Sequence, residues 1–133
     1  MINGFTSVVG DLFHPGHMAM IQECRKHCDH LTVGLICDPS DRPYKNTPVE
    51  SVFERWYRLA NCKGIDAVIP LQNESDLELA LQLFPIDIRF VGEEYKDTDF
   101  TGKAICIKRN IPIIYNSRSH ALSSSALRKR VAK

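Results

Sequence analysis

The sequence predicts an α/β domain built on one five-stranded parallel sheet with helices on both faces. Three observations carry that prediction. Short apolar runs suited to strands alternate with longer stretches of helical spacing along the chain. The run Leu31–Cys37 is almost continuously apolar, as expected of a strand covered on both faces. A length of 133 residues suits one domain, with a core that needs no disulfides.

The elements follow in order. Ile2–Val9 is the first strand, with Phe5, Val8 and Val9 as apolar positions. Gly16–His27 is the first helix, where Met18, Ile21 and Cys24 recur at helical spacing. Leu31–Cys37 is the second strand. A polar loop, Asp38–Thr47, follows with two prolines and Lys45. Thr47-Pro48-Val49-Glu50 then opens a second helix, with threonine as cap, proline at the first helical position and glutamate closing a capping box. That helix runs to Cys62, and Gly64 suits its stop. Ile65–Pro70 is the third strand. Ser75-Asp76-Leu77-Glu78 is a second capping box, opening a helix that reaches Phe84 and ends at Pro85. Ile86–Val91 is the fourth strand, ended by Gly92. Asp99–Arg109 contains a short helix, Pro112–Tyr115 is the fifth strand, and Ser123–Val131 is a final helix with a serine-rich start. Right-handed crossovers join such strands, and the whole reads as a single Rossmann-like domain over residues 1–133.

Composition narrows the function classes. A hydrophobic fraction of 44% and a charged fraction of 25% are ordinary for a globular protein. A net charge of +1 argues against general binding to nucleic acid or to a membrane surface. Asp11, His14 and His17 interrupt any signal-like apolar run near the start, and no apolar stretch is long enough to cross a bilayer. The five cysteines, an odd number without a secretory signal, read as reduced thiols of a cytoplasmic protein.

The chemistry concentrates in Asp11-Leu12-Phe13-His14-Pro15-Gly16-His17. Two histidines stand three residues apart around a Pro-Gly break, where the first strand hands over to the first helix. In open α/β sheets ligands bind at that edge, and a helix N-terminus there attracts phosphate. Gly16 lets the backbone approach a ligand closely. Two imidazoles at this point are suited to donate to the oxygens of a reacting phosphate. The competing reading is a pair of surface histidines beside a turn, and a short motif alone does not decide. There is no GxGxxG, P-loop or Ser-His-Asp order. Cys24, His27, Cys28 and His30 have spacing open to zinc. Cys24 also fits an apolar face with Met20 and Ile21, so core plus surface is the simpler reading. Cys62 and Cys106 read as small buried residues.

Several segments, in order, resemble one family. Asp11–His17 resembles the HxGH signature of the nucleotidyltransferase superfamily that contains the cytidylyltransferases and pantetheine-phosphate adenylyltransferase. Phe53-Glu54-Arg55 resembles the start of its arginine-containing helix, and Ile65–Pro70 the strand after it. Val91-Gly92-Glu93-Glu94-Tyr95-Lys96 resembles the segment that holds the base. Arg118 followed by Leu122-Ser123-Ser124-Ser125 resembles the closing arginine and Ser/Thr-rich helix start. The likeness covers nearly the whole chain and is strongest to the glycerol-3-phosphate cytidylyltransferase branch. The chain departs from the pattern at Val8-Val9-Gly10-Asp11, which replaces a Gly-x-Phe-Asp run. It also departs at Lys63, where arginine is usual, and at Tyr95, where tryptophan is frequent.

The resemblance implies transfer of CMP from CTP to a small phosphorylated alcohol, foremost glycerol 3-phosphate, giving CDP-glycerol and pyrophosphate. It implies His14, His17, Lys45 and Arg118 as catalytic residues. Val9, Gly10, Asp11, Gly16, Lys63, Gly92, Glu93, Glu94, Ser123, Ser124 and Ser125 would bind the nucleotide. Arg55 and Lys45 would bind the acceptor, with bracing of the site as the other role for Arg55. Mg²⁺ would be carried by the nucleotide and water, without protein ligands. A homodimer is implied, with neither nucleic acid nor membrane as partner. Ethanolamine phosphate, choline phosphate and sugar phosphates stay open as acceptors. Adenylyl transfer on the same fold and a catalytically weak nucleotide binder also stay open. Ser123 equally suits a plain N-cap, and each cation taken singly equally suits a solvated surface charge.

Overall fold

Five strands, β1 (Asn3–Val8), β2 (His30–Ile36), β3 (Ala67–Leu71), β4 (Ile88–Gly92) and β5 (Ile113–Asn116), pair in the order β3-β2-β1-β4-β5. Every pairing is parallel. The computed structural model describes residues 1–41 and 47–117. Four helices, α1 (Pro15–Arg25), α2 (Val52–Ala60), α3 (Glu74–Leu83) and α4 (Lys103–Lys108), supply the crossovers. The final helix expected over Ser123–Val131 lies outside the described residues.

Two apolar layers sandwich the sheet. On one face Ile21 and Cys24 of α1 and Leu59 of α2 pack on Leu31, Val33, Leu35 and Phe90. On the other, Leu77, Ala80 and Leu81 of α3 and Cys106 of α4 pack on Phe5, Ile36 and Leu71. Alternation along β2 sends its side chains into both layers, which explains its nearly unbroken apolar run. Pro70 is tolerated in β3 because that strand is at the sheet edge.

The chain moves from β1 outward to β3, then crosses back to β4 on the other side of β1. The reversal places a topological switch point at the carboxyl ends of β1 and β4. Sheets of this kind bind ligands at that topological switch point. The connection after β1 is the two-histidine motif, and the one after β4 opens with a 3₁₀ turn, Glu93–Tyr95. Thr6 ties the two strands by donating to the Phe90 carbonyl at 3.2 Å.

Two helix starts differ from the local signals. α2 begins at Val52, not at Pro48, and its cap is Ser51. The Ser51 hydroxyl accepts from the Glu54 N–H at 3.1 Å, and the Glu54 carboxylate accepts from the Ser51 N–H at 2.9 Å. The expected box at Thr47–Glu50 does not form, because Val49 and Glu50 are bonded to the motif. α3 is capped by Asn73, whose side chain accepts from the Asp76 N–H, so Ser75 falls inside the first turn.

Candidate functional site

The motif is built around reciprocal caps. His14 is the N-cap of α1, and its Nδ1 accepts from the Gly16 N–H at 2.9 Å. His17, at the third helical position, accepts from the His14 N–H at its own Nδ1 at 3.2 Å. This is a capping box in which imidazoles take the places of Ser/Thr and Glu. Pro15 starts the helix, where its missing N–H costs nothing. With each Nδ1 acting as acceptor, the ring proton is assigned to Nε2 in both residues, and the His14 Nε2 is buried. The rings lie 4.2 Å apart between centroids, and Phe13 stacks on His17 at 5.0 Å with 14° between planes.

The approach to the histidines is held by long-range bonds. Gly10 and Leu12 have φ of +73° and +50°. Glycine adopts this geometry readily, whereas leucine does so at a cost. The Glu50 carboxylate holds Leu12 in place, accepting from its N–H at 2.6 Å. Arg58 holds Glu50 in turn, with Nη2 2.7 Å from the carboxylate. Asp11 is buried, and its two oxygens accept from the Val49 and Glu50 N–H groups at 2.9 Å each. Asp11 therefore fastens the motif to the entry of α2. Both carboxylates beside the histidines are thus committed to protein donors.

Arg55 has the role of a brace. It is 2% exposed. Its guanidinium donates to the carbonyls of Glu50 (3.2 Å), Val9 (2.9 Å), Ile36 (2.9 Å) and Cys37 (2.8 Å). Those carbonyls lie at the ends of β1 and β2 and at the entry to α2, so the fork is directed inward, and of the two roles expected for Arg55 these bonds support the brace. The expectation for Lys63 is corrected. α2 ends at Ala60, and the chain has by then crossed to the amino edge of the sheet. There the neighbouring Gly64 lies against Ile21 and Arg25 at the far end of α1, and Asp66 accepts from the Leu31 N–H. Lys63 is exposed at the edge opposite the histidines.

Val9, Gly10, Asp11, Gly16, Gly92, Glu93 and Glu94 do gather at the carboxyl edge, on the connections that flank the switch point. Lys45, Arg118, Ser123, Ser124 and Ser125 lie outside the described residues. Sequence reasoning missed Arg58, which supports Glu50 from eight residues away, a spacing that carries no local signal. Cys24 and Cys28 belong to the core. Burial pushes the Cys24 thiol up to about 12, which keeps it protonated and unsuited to bind metal. Among the described residues no three His, Cys, Asp or Glu side chains are grouped to hold a metal ion. No helix among them is long and apolar enough to cross a membrane.

Comparison with known proteins agrees with this geometry. Residues 11–130 match the family model described as cytidylyltransferase-like. The chain is 35% identical over 107 residues to the bifunctional protein HldE of Mesorhizobium japonicum, covering 79% of this chain and 21% of that protein. It is 32% identical over 113 residues to HldE of Hyphomonas neptunium, covering 84% of this chain and 23% of the other. It thus spans about a fifth of the length of these curated relatives. A lipopolysaccharide core biosynthesis protein from Thermoplasma volcanium GSS1 shares the fold, with a TM-score of 0.72 and 24% identity over 88% of this chain and 97% of that one. Two histidines at the switch point of a five-stranded parallel sheet, and a family match over most of the length, lead to one conclusion: the chain belongs to the cytidylyltransferase-like nucleotidyltransferase family.

Proposed function

We propose that this chain transfers a nucleotidyl group from a nucleoside triphosphate to a phosphorylated small alcohol or sugar, acting as one domain over residues 1–133. The pair of reciprocally capped imidazoles at the switch point carries the reading. An acceptor phosphate oxygen attacks the α-phosphorus, the bond to the bridging oxygen breaks, and pyrophosphate leaves without a covalent enzyme intermediate. Charge grows on the α-phosphoryl oxygens as this happens. His14 and His17 donate to them through Nε2, with each ring oriented by the bond at its Nδ1. The backbone of Val9, Gly10 and Gly16 lines the approach. Lys45 and Arg118 supply cations, and Ser123, Ser124 and Ser125 supply phosphate contacts. Gly92, Glu93 and Glu94 border the base. Mg²⁺ bound to the triphosphate and water would offset phosphate charge. That arrangement fits a site whose Asp11 and Glu50 are already engaged.

CTP and glycerol 3-phosphate are the first substrates of this reading, from the likeness to the glycerol-3-phosphate cytidylyltransferase branch. The match to bifunctional HldE proteins favours a second reading, adenylyl transfer from ATP to a sugar phosphate. Five unbridged cysteines suit a reducing cytoplasm. Pyrophosphate release, measured with Mg²⁺ across the four nucleoside triphosphates and with glycerol 3-phosphate or a sugar 1-phosphate, tests the proposal. Release that needs one triphosphate and one acceptor together is the expected result. Nucleotide binding with no release in any pairing would leave a weak binder in place of an enzyme.

The same reading includes a homodimer. α2 turns Phe53, Tyr57 and Trp56 outward, 66%, 55% and 39% exposed, with ring centroids 5.8 to 6.4 Å apart. Exposed Val49 and Val52 extend this face. Exposed aromatic and aliphatic side chains grouped on one face suit the apolar core of a self-association surface. Sedimentation at tens of micromolar is expected to show a dimer, and Phe53→Glu with Tyr57→Glu a folded monomer. A wild-type monomer at that concentration would remove the dimer.

A further inference from the structure

Arg89 is a charged residue inside a central strand, and the roles above do not account for it. It lies on β4, three residues before the carboxyl end, and is 4% exposed. Burial lowers its pKa from the usual arginine range, so the fold keeps a desolvated cation there at a cost. Nη1 donates to the Thr101 carbonyl at 2.7 Å and lies 3.9 Å from the Cys106 sulfur. The guanidinium carbon lies 5.2 Å from the centre of the Phe100 ring. Phe100 meets Tyr95 edge-on at 6.2 Å. Gly102, with φ of +83°, passes so close that a Cβ there would run into Leu81 and Arg89. The return loop after the Glu93–Tyr95 turn is therefore pinned to Arg89 at two successive residues.

We propose that Arg89 is a positioning residue for the Glu93–Tyr95 turn. It fixes Thr101 and Phe100, and Phe100 holds Tyr95, so that Gly92, Glu93 and Glu94 keep their place beside the switch point. The functional part rests on the reading of Gly92–Glu94 as nucleotide contacts. Methionine at position 89 fills the volume without the guanidinium. Lysine keeps the charge but loses the planar fork. Phe100→Leu breaks the same connection one residue further along.

Hydrogen exchange on the full chain without ligand, combined with steady-state kinetics, tests this. In Arg89→Met, peptides over residues 93–101 are expected to exchange about tenfold faster while residues 3–25 stay unchanged, as for loss of one charge-assisted bond and one cation–π contact. The KM for the triphosphate should rise on the order of tenfold with kcat within about twofold, Phe100→Leu should move both readouts the same way, and Arg89→Lys should recover part. Unchanged exchange over 93–101 overturns the proposal. So does a uniform rise across the chain in both Arg89→Met and Phe100→Leu, which would make Arg89 a general packing residue. If the wild type turns over no triphosphate, the nucleotidyl-transfer reading fails, and exchange alone still decides on Arg89.

Discussion

Replacing His14 with asparagine, or His17 with glutamine, is expected to lower kcat by roughly 10²–10³-fold and leave the fold in place. The choice of substitutes follows from the capping box. His14 performs two tasks: Nδ1 accepts the Gly16 N–H, and Nε2 carries the donor proposed for the α-phosphate. Asparagine is among the best N-caps, so its side-chain oxygen keeps the first task and drops the second. Glutamine at the third helical position likewise still accepts the residue-14 N–H, the bond His17 makes through Nδ1. Alanine at position 14 removes both tasks and should cost about 1 kcal/mol of stability besides. Thermal melts of the Asn and Ala variants separate cap from donor, and pyrophosphate release measures the donor alone. Full turnover in His14→Asn would sink the mechanism.

The sequence reading succeeded where structure is local and failed where distant segments meet. β2 declared itself because both faces are covered, and the motif because its histidines cap one helix start. The strand order was not legible, since nothing in the β3–α3–β4 segment says that β4 lands on the far side of β1. The Thr47–Glu50 box matched the local rule and lost to tertiary bonds. Asp11 takes the Val49 and Glu50 N–H groups, Leu12 and Arg58 take the Glu50 carboxylate, and Ser51 becomes the cap. Lys63 was assigned to the site because the resemblance places a cation late in the second helix. The helix stops at Ala60, and the chain has already reached the other edge of the sheet.

Arg55 tests the same distinction energetically. Arg55→Met is expected to cost about 3–5 kcal/mol, because carbonyls from β1, β2 and the entry to α2 lose a charged donor together. Against a usual total of about 5–15 kcal/mol this is a large share, and the melting temperature should fall by roughly ten degrees or more. Arg55→Lys should recover only part, since one ammonium cannot span carbonyls spread around a planar fork. A residue that bound the acceptor would behave otherwise: the KM for the acceptor would rise and the melt would stay put. A brace acts through the Val9 carbonyl next to Gly10 and through the ends of β1 and β2. Stability should therefore fall first, and any turnover left at low temperature should show its defect in kcat. An unchanged melt with a raised acceptor KM would return Arg55 to the substrate.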